Sequence, residues 1–598
     1  MLAQIPPLLL PLILLITSTS APTASAAAFV PQKQCRAFPG DPQWPSQDAW
    51  GRLNDTLGGR LLRPLAPAGV CHKEQPNFDE ARCAALGEGW HLAGLHVADP
   101  VSVLSSQFSG DTCLPDPEAP CSVGGYPSFV VNATCAEHVK AGVDFARENN
   151  VRLVVKSTGH DYLGRSIAPG ALSIWTHHLN AQTYHEGRFE LGGSGRIVEG
   201  SAITAGGGTP MLEVYEFGGA RGRTVVGGTG ATVGVAGYSS GGGHSVLSPR
   251  YGLAADNVLQ MEVVTPSGEL LTVNEDQHPD LFWALRGGGG STFGVVTKLT
   301  IRTFPSPRIQ KASWNVYTAA NSTALPDVIA YLFTQFPTLM DGGLSGYNFV
   351  QSGIDNPAPG PGAPDKVSGL TGSYVLQDDD DPEAIPRLIG PVEEAIRERW
   401  GGAVVSALNV SAYGSFLDWY RENLDPGSAG FDVYLRSRLL DRETLEGGGG
   451  ERALRRALEP TLGDPLSGLQ AFMVGGEGVK NAEPRGGGNS VLPAWRSAYV
   501  HALLPQSFAP NNATAEKEAR QLIEAKLRPL RELTPGSGSY LNEAYPYEED
   551  WQETFWGDNY GRLLAVKRAV DPADVFWCAP CVGNEGWEAG DDGRLCRV

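Results

Sequence analysis

The stretch PDLFWALRGGGGSTFGVV at 279–296 sets the reading of the whole chain. Its glycines, Gly287 to Gly290 and then Gly294, run directly into Val295 to Ile301, an apolar β-branched run that reads as a strand. Glycines gathered in this way inside a globular chain let a backbone come close to something, often a ligand. The same texture recurs at 192–243, 447–450 and 486–488. In total 75 of 598 residues are glycine, well above the usual share of about 7% and without a collagen period.

Working outward, Met261 to Thr265 and Leu270 to Val273 read as further strands. Upstream, 137–150 has helical spacing, with Val139, Val143 and Phe145 on or near one face, and Val151 to Val155 reads as a buried strand. KSTGHDY (156–162) follows that strand at once, and GGTGATVG lies at 227–234. Gly-rich turns of this kind can present backbone N–H groups to a phosphate. Neither G-x-G-x-x-G nor GxxxxGK[ST] occurs, which argues against a Rossmann dehydrogenase or a P-loop enzyme. Gly237 to Gly241 matches G-x-S-x-G around Ser239, so a secreted serine hydrolase is an alternative. That motif needs a strand before the serine and a helix after it, and GGHSVLSP is a poor helix start. His177 and His178 are read as strand neighbours pointing to opposite faces, and no metal site is expected.

The net charge of −20 argues against a nucleic-acid or anionic-membrane partner. An apolar run from Ile5 to Ile16 and a small-residue tract around Ala24–Ala26 read as a signal peptide within 1–28, hence a secreted, extracellular protein. Nine cysteines, six before residue 136 and three after 577, then read as disulfides with at least one thiol left over; Cys578 and Cys581 read as structural. Sequons at Asn54, Asn132, Asn321, Asn409 and Asn512 predict a glycoprotein. Residues 29–125 form a Cys/Pro-rich extension. After Pro305 the texture changes: helical stretches near 383–399 and 513–533 alternate with strand-like stretches near 344–350, 370–376 and 431–436, which suggests a second domain.

RYGLAADNVL (250–259), VVTPSGELLT (263–272) and the 279–296 stretch together closely resemble FAD-linked oxidases of the vanillyl-alcohol oxidase superfamily. WGDNYGRL (556–563), with Lys567, Asp571 and Pro572, looks like a berberine-bridge-enzyme-type ending, and the whole looks most like the secreted fungal branch. The resemblance implies an α+β fold: a two-subdomain PCMH-type FAD-binding domain at 126–305 and a substrate domain at 306–535 with an antiparallel sheet over the flavin. A C-terminal segment at 536–598 would return to the FAD domain.

The resemblance also implies roles. His160 stands where the family's histidine bonds the flavin 8α carbon, and Thr158 replaces a common glycine. Gly230 stands where doubly linked members carry cysteine, and no cysteine lies between 136 and 577, so a single covalent link is expected. Backbone groups of Ser157, Thr158, Gly159 and His160, and of Gly227, Gly228, Thr229, Gly230, Thr232, Val233 and Gly234, should line the pyrophosphate. Gly294 and Val296 should lie near the adenosine part, and Asn559 and Tyr560 should touch the flavin. The chemistry implied is hydride transfer from an alcohol, sugar or secondary metabolite to flavin N5, with O2 reduced to H2O2. Glu543 is the first candidate base and Tyr545 the second. Val233 is compatible with oxygen access, whereas Tyr238, replacing a polar residue, leaves room for a dehydrogenase. A flavin-binding protein with little turnover is the remaining alternative. The partners expected are a small-molecule substrate and O2.

Overall fold

The computed structural model describes residues 34–357, 363–447, 449–464 and 468–598. The leader expected at 1–28 lies outside them. Three sheets organise the chain. In the first, Leu61–Leu62, Phe129–Asn132, Leu172–Trp175 and Leu153–Lys156 lie in that spatial order, the last three parallel. The helix Ala136–Glu148 makes the crossover, and its buried Val139 and Val143 share a core with Val131, Leu153 and Ile174. Lys156 pairs with Trp175 at the end of this parallel sheet. The KSTGH loop therefore starts at the carboxyl end of a parallel strand, where open α/β sheets bind ligands.

The second sheet is antiparallel, in the order Leu270–Val273, Val258–Val264, Val295–Arg302, Ala202–Gly206, Gln182–His185. The third has seven antiparallel strands: Val404–Tyr413, Ile309–Ala319, Lys366–Gln377, Ser345–Asp355, Leu469–Met473, Ala498–Phe508 and Asp432–Asp441. Helices Leu325–Asp341, Ala384–Trp400, Gly450–Leu458 and Ala513–Leu533 bury one face of it in a shared core. The strand period of two sorts the side chains. Tyr434, Ala471 and Met473 join that core. Val433, Leu435 and Phe472 point the other way and line a cavity.

Strands and helices expected from the sequence recur with ends shifted by a few residues. Leu325–Asp341, Ile309–Ala319 and Ala498–Phe508 were not expected. The first is apolar on most sides and carries Pro337, which hides its period; the last is buried along most of its length, so it lacks alternation. His177 and His178 sit in a turn rather than a strand, with the His178 Nδ1 2.7 Å from Asn132 Oδ1.

The N-terminal extension contains helices Gln47–Thr56, Glu80–Gly89 and Ala93–Ala98. Disulfides join Cys71 to Cys83, Cys113 to Cys121, Cys578 to Cys581 and, tying the extension to the C-terminus, Cys35 to Cys596; Cys135 is free. The N-terminal residues also reach both the loop after the parallel sheet and the edge of the large sheet. Leu104 N–H donates to Gly159 O at 3.2 Å, and Lys156 Nζ donates to Asp99 O at 2.8 Å. Ser106 Oγ donates to Asp432 Oδ1 at 2.8 Å on the edge strand of the large sheet. Burial, with the neighbouring Asp111 carboxyl, pushes Asp432 up to about 7. No helix among the described residues is long and apolar enough to cross a membrane.

Candidate active site

A cavity of about 850 Å³ lies where the three sheets meet. One half is built from backbone. Ser157 to His160, Gly228 to Gly230, Val233, Gly234, Gly289 to Ser291, Gly294 and Val296 line it. The two glycine loops approach closely: a Cβ on Gly234 would lie 2.7 Å from Ser157 Oγ. That hydroxyl is buried without a hydrogen-bond partner among the described residues. Buried polar groups are nearly always paired, so the loop is shaped to receive polar atoms of a ligand. This cradle, with its backbone groups and an unpaired buried hydroxyl, fits the phosphates of FAD.

At the end of the cradle His160 faces the cavity, its Nε2 2.7 Å from Thr232 Oγ1. Burial, and then the Lys156 charge, push its imidazole down to about 4. The ring is neutral near pH 7, and the contact between Nε2 and the Thr232 hydroxyl fixes its orientation. Thr232 thus orients His160 instead of lining the cavity. Gly227 lies under the loop, where a Cβ would meet Met211 Sδ and the Tyr215 hydroxyl.

Side chains build the other half. Tyr347, Phe349 and Phe472 come from the large sheet, with Val433, Leu435 and Leu503, and Tyr540, Asn542 and Glu543 come from the C-terminal segment. Asn542 Nδ2 donates to the Gly237 and Tyr238 carbonyls, both at 3.3 Å, and a turn from Tyr540 O to Glu543 N at 3.0 Å sets the Glu543 side chain. Its carboxylate lies 3.2 Å from His244 Nε2 and 3.4 Å from His501 Nδ1. Burial opposes its ionisation, but the two histidines outweigh it and hold Glu543 below the usual carboxylate range. His244 and His501 were missed in the sequence. His244 follows the second glycine cluster, whereas no local signal marks His501, which is brought in by strand register opposite Phe472.

Besides Thr232 and Gly227, four expected residues stand elsewhere. Tyr545 is packed between Tyr434 and Tyr547, with the Arg436 guanidinium 5.3 Å from its ring, and does not line the cavity. It faces the helix-covered side of the sheet, so it is removed as a base. Asn559 donates to Val491 O at 2.9 Å, and Tyr560 packs on Trp551 and Trp556; neither lines the cavity. Their segment braces the glycine run from behind, with Trp556 Nε1 donating to Gly287 O at 3.0 Å and Lys567 Nζ to Thr292 O at 2.9 Å. Ser239 is buried near the end of the short helix Val235–Ser240, not at a strand-to-helix turn, so the nucleophile elbow is absent.

A glycine cradle at the end of a parallel sheet lies beside a cavity roofed by an antiparallel sheet, the arrangement that the sequence resemblance implies for a PCMH-type FAD-binding fold. The comparisons with known proteins agree. Residues 127–274 match the FAD binding domain family and residues 539–582 match the berberine and berberine-like family. The VAO-type flavoprotein oxidase VAO615 of Thermothelomyces thermophilus is 36% identical over 573 residues, covering 94% of this chain and 95% of that one. The FAD-linked oxidoreductase patO of Aspergillus clavatus is 34% identical over 577 residues, covering 95% of each. The crystal structure of the VAO-type flavoprotein MtVAO615 from Myceliophthora thermophila C1 superposes with a TM-score of 0.84 at 34% identity, covering 94% of this chain and 100% of that one. The chain belongs to the VAO-type, berberine-bridge-like FAD-linked oxidoreductases, and it is an FAD-dependent oxidoreductase.

Proposed function

We propose that this protein is a secreted oxidase that carries FAD on a single bond from His160 and oxidises an apolar alcohol. The reading divides the chain into an FAD-binding unit at 126–305, a substrate unit at 306–535 and a returning segment at 536–598. Its main support is that His160 and Glu543 line one cavity, the first at the cradle and the second at the apolar end. When bound, FAD supplies a two-electron acceptor that takes a hydride from the substrate carbon and passes the electrons to O2, giving H2O2.

The residues divide the remaining work. Glu543, kept ionised and hydrogen-bonded to His244, accepts the hydroxyl proton. Phe349, Phe472, Leu435 and Leu503 exclude water and hold an apolar body. Gln470, Ser373 and Ser507 line the same side, so a polar group carried on that body also finds a partner. Gly230 carries no thiol, which supports one link rather than two. Disulfides linking the extension and both chain ends support an oxidising compartment. The test is a screen of apolar and sugar alcohols for anaerobic bleaching of the flavin and aerobic peroxide release. Bleaching by apolar alcohols is expected. Bleaching by sugars alone overturns the substrate class, and no bleaching by any donor overturns the turnover reading.

A further inference from the structure

We propose that His244, His501 and Glu543 form a binding site for one divalent transition-metal ion, zinc first, at the apolar end of the cavity. One ring nitrogen of His244, one of His501 and a Glu543 oxygen all lie within 4.8 Å of one another. The spacings suit a shared ion better than a pair of hydrogen bonds. Charged N–H···O contacts are normally about 2.7–2.9 Å. Here the histidine-to-carboxylate separations are 3.2 Å and 3.4 Å. Metal bonds of about 2.0–2.2 Å set ligand atoms on a tetrahedron roughly 3.3–3.5 Å apart.

A second observation points the same way. His501 is fully buried, yet its Nδ1, which faces Glu543, lacks a hydrogen-bond partner among the described residues. An ion at the centre satisfies His501 Nδ1 and replaces the long contact at His244 Nε2. The wall around the cluster is aromatic: Tyr540, Phe472 and Trp495 lie 5.2, 5.7 and 6.3 Å from the His244 ring. Such a wall limits competition from water. Two imidazoles and one carboxylate are borderline donors that suit zinc and similar ions, not calcium or magnesium. His244 and Glu543 line the cavity, so the remaining coordination position opens to it. The other convergence of ligand types, His72 with Cys113 and Cys121, has its two cysteines joined to each other.

The site rests on these three side chains and not on the flavin reading. The Glu543 oxygen that holds the ion can no longer take the substrate proton, so ion binding and proton transfer compete at this carboxylate.

The test uses the full-length, flavin-loaded protein, stripped with a chelator and dialysed against zinc, with metal and flavin counted per chain. One zinc per chain is expected, with at least tenfold weaker binding in His501→Asn and His244→Asn proteins that keep their flavin spectrum. No retained zinc, or equal binding by those variants, overturns the site. Cobalt loading of the unsubstituted protein needs no variant: intense four-coordinate ligand-field bands are expected, and a weak six-coordinate spectrum contradicts the proposal.

Discussion

The two halves of the cavity are built by opposite means. The cofactor half is backbone: loops 157–160, 228–234 and 289–294 present main-chain groups, and at Gly230, Gly234 and Gly294 an added Cβ would collide with its surroundings. The substrate half is side chain: residues from three distant strands and the C-terminal segment meet only after the seven-stranded sheet is formed. A backbone site fails all at once when one methyl is added. A side-chain site responds in steps.

The largest effect is expected just before the third loop, at a glycine that does not line the cavity but sets the course of the backbone into it. Gly287 has φ +127°, and a Cβ there would lie 2.2 Å from Val491 N. Gly287→Ala should leave little folded, flavin-loaded protein, since left-handed strain and a backbone clash each cost about 1–3 kcal/mol or more. A flavin-to-protein ratio near that of the unsubstituted chain would break the comparison. Next comes Glu543→Gln, expected to slow flavin reduction by an ion-free protein roughly hundredfold or more while flavin content is kept. Because Glu543 lies below the usual carboxylate range, the unsubstituted reduction rate should be level at neutral pH. It should fall only as acid protonates the carboxylate, and stopped-flow traces across pH check both statements.

Phe349→Ala should act more gently. Phe349 is 39% exposed and lines the cavity, so its loss removes apolar contact without opening a core. KM for an apolar alcohol should rise about tenfold, about 1.4 kcal/mol, with kcat unchanged. An unchanged KM would place the substrate elsewhere. The smallest effect is expected where the N-terminal residues meet the large sheet. Asp432, raised to about 7 by burial and Asp111, keeps a proton in the folded state that the unfolded chain has released. Stability should therefore decline as pH rises from about 4 to about 7. Asp432→Asn should flatten that decline in melting curves, and an unaltered slope would exclude Asp432 as its source.

The same contrast explains what the sequence disclosed. Backbone sites leave local traces, because KSTGH, GGTGATVG and GGGGSTFG must be contiguous to do their work. Glu543 was reachable because it adjoins a C-terminal motif, yet Tyr545, two residues on, turns to the opposite side of the sheet. His501 was not reachable, because register across Leu469–Met473 and Ala498–Phe508 sets its position. Asn559 and Tyr560 belong to a motif that braces the glycine run from behind, a role its pattern does not distinguish from contact. The N-terminal extension read as a disulfide-stapled segment. Its reach to Gly159 and Asp432 depends on tertiary contacts that composition cannot carry.

The most direct test of the account is acid precipitation of the purified protein beside its His160→Ala variant, followed by absorption spectra of pellet and supernatant. The account predicts flavin in the pellet for the unsubstituted chain and in the supernatant for the variant. Flavin released from both, or retained by both, would contradict the assignment of His160 as the single anchor.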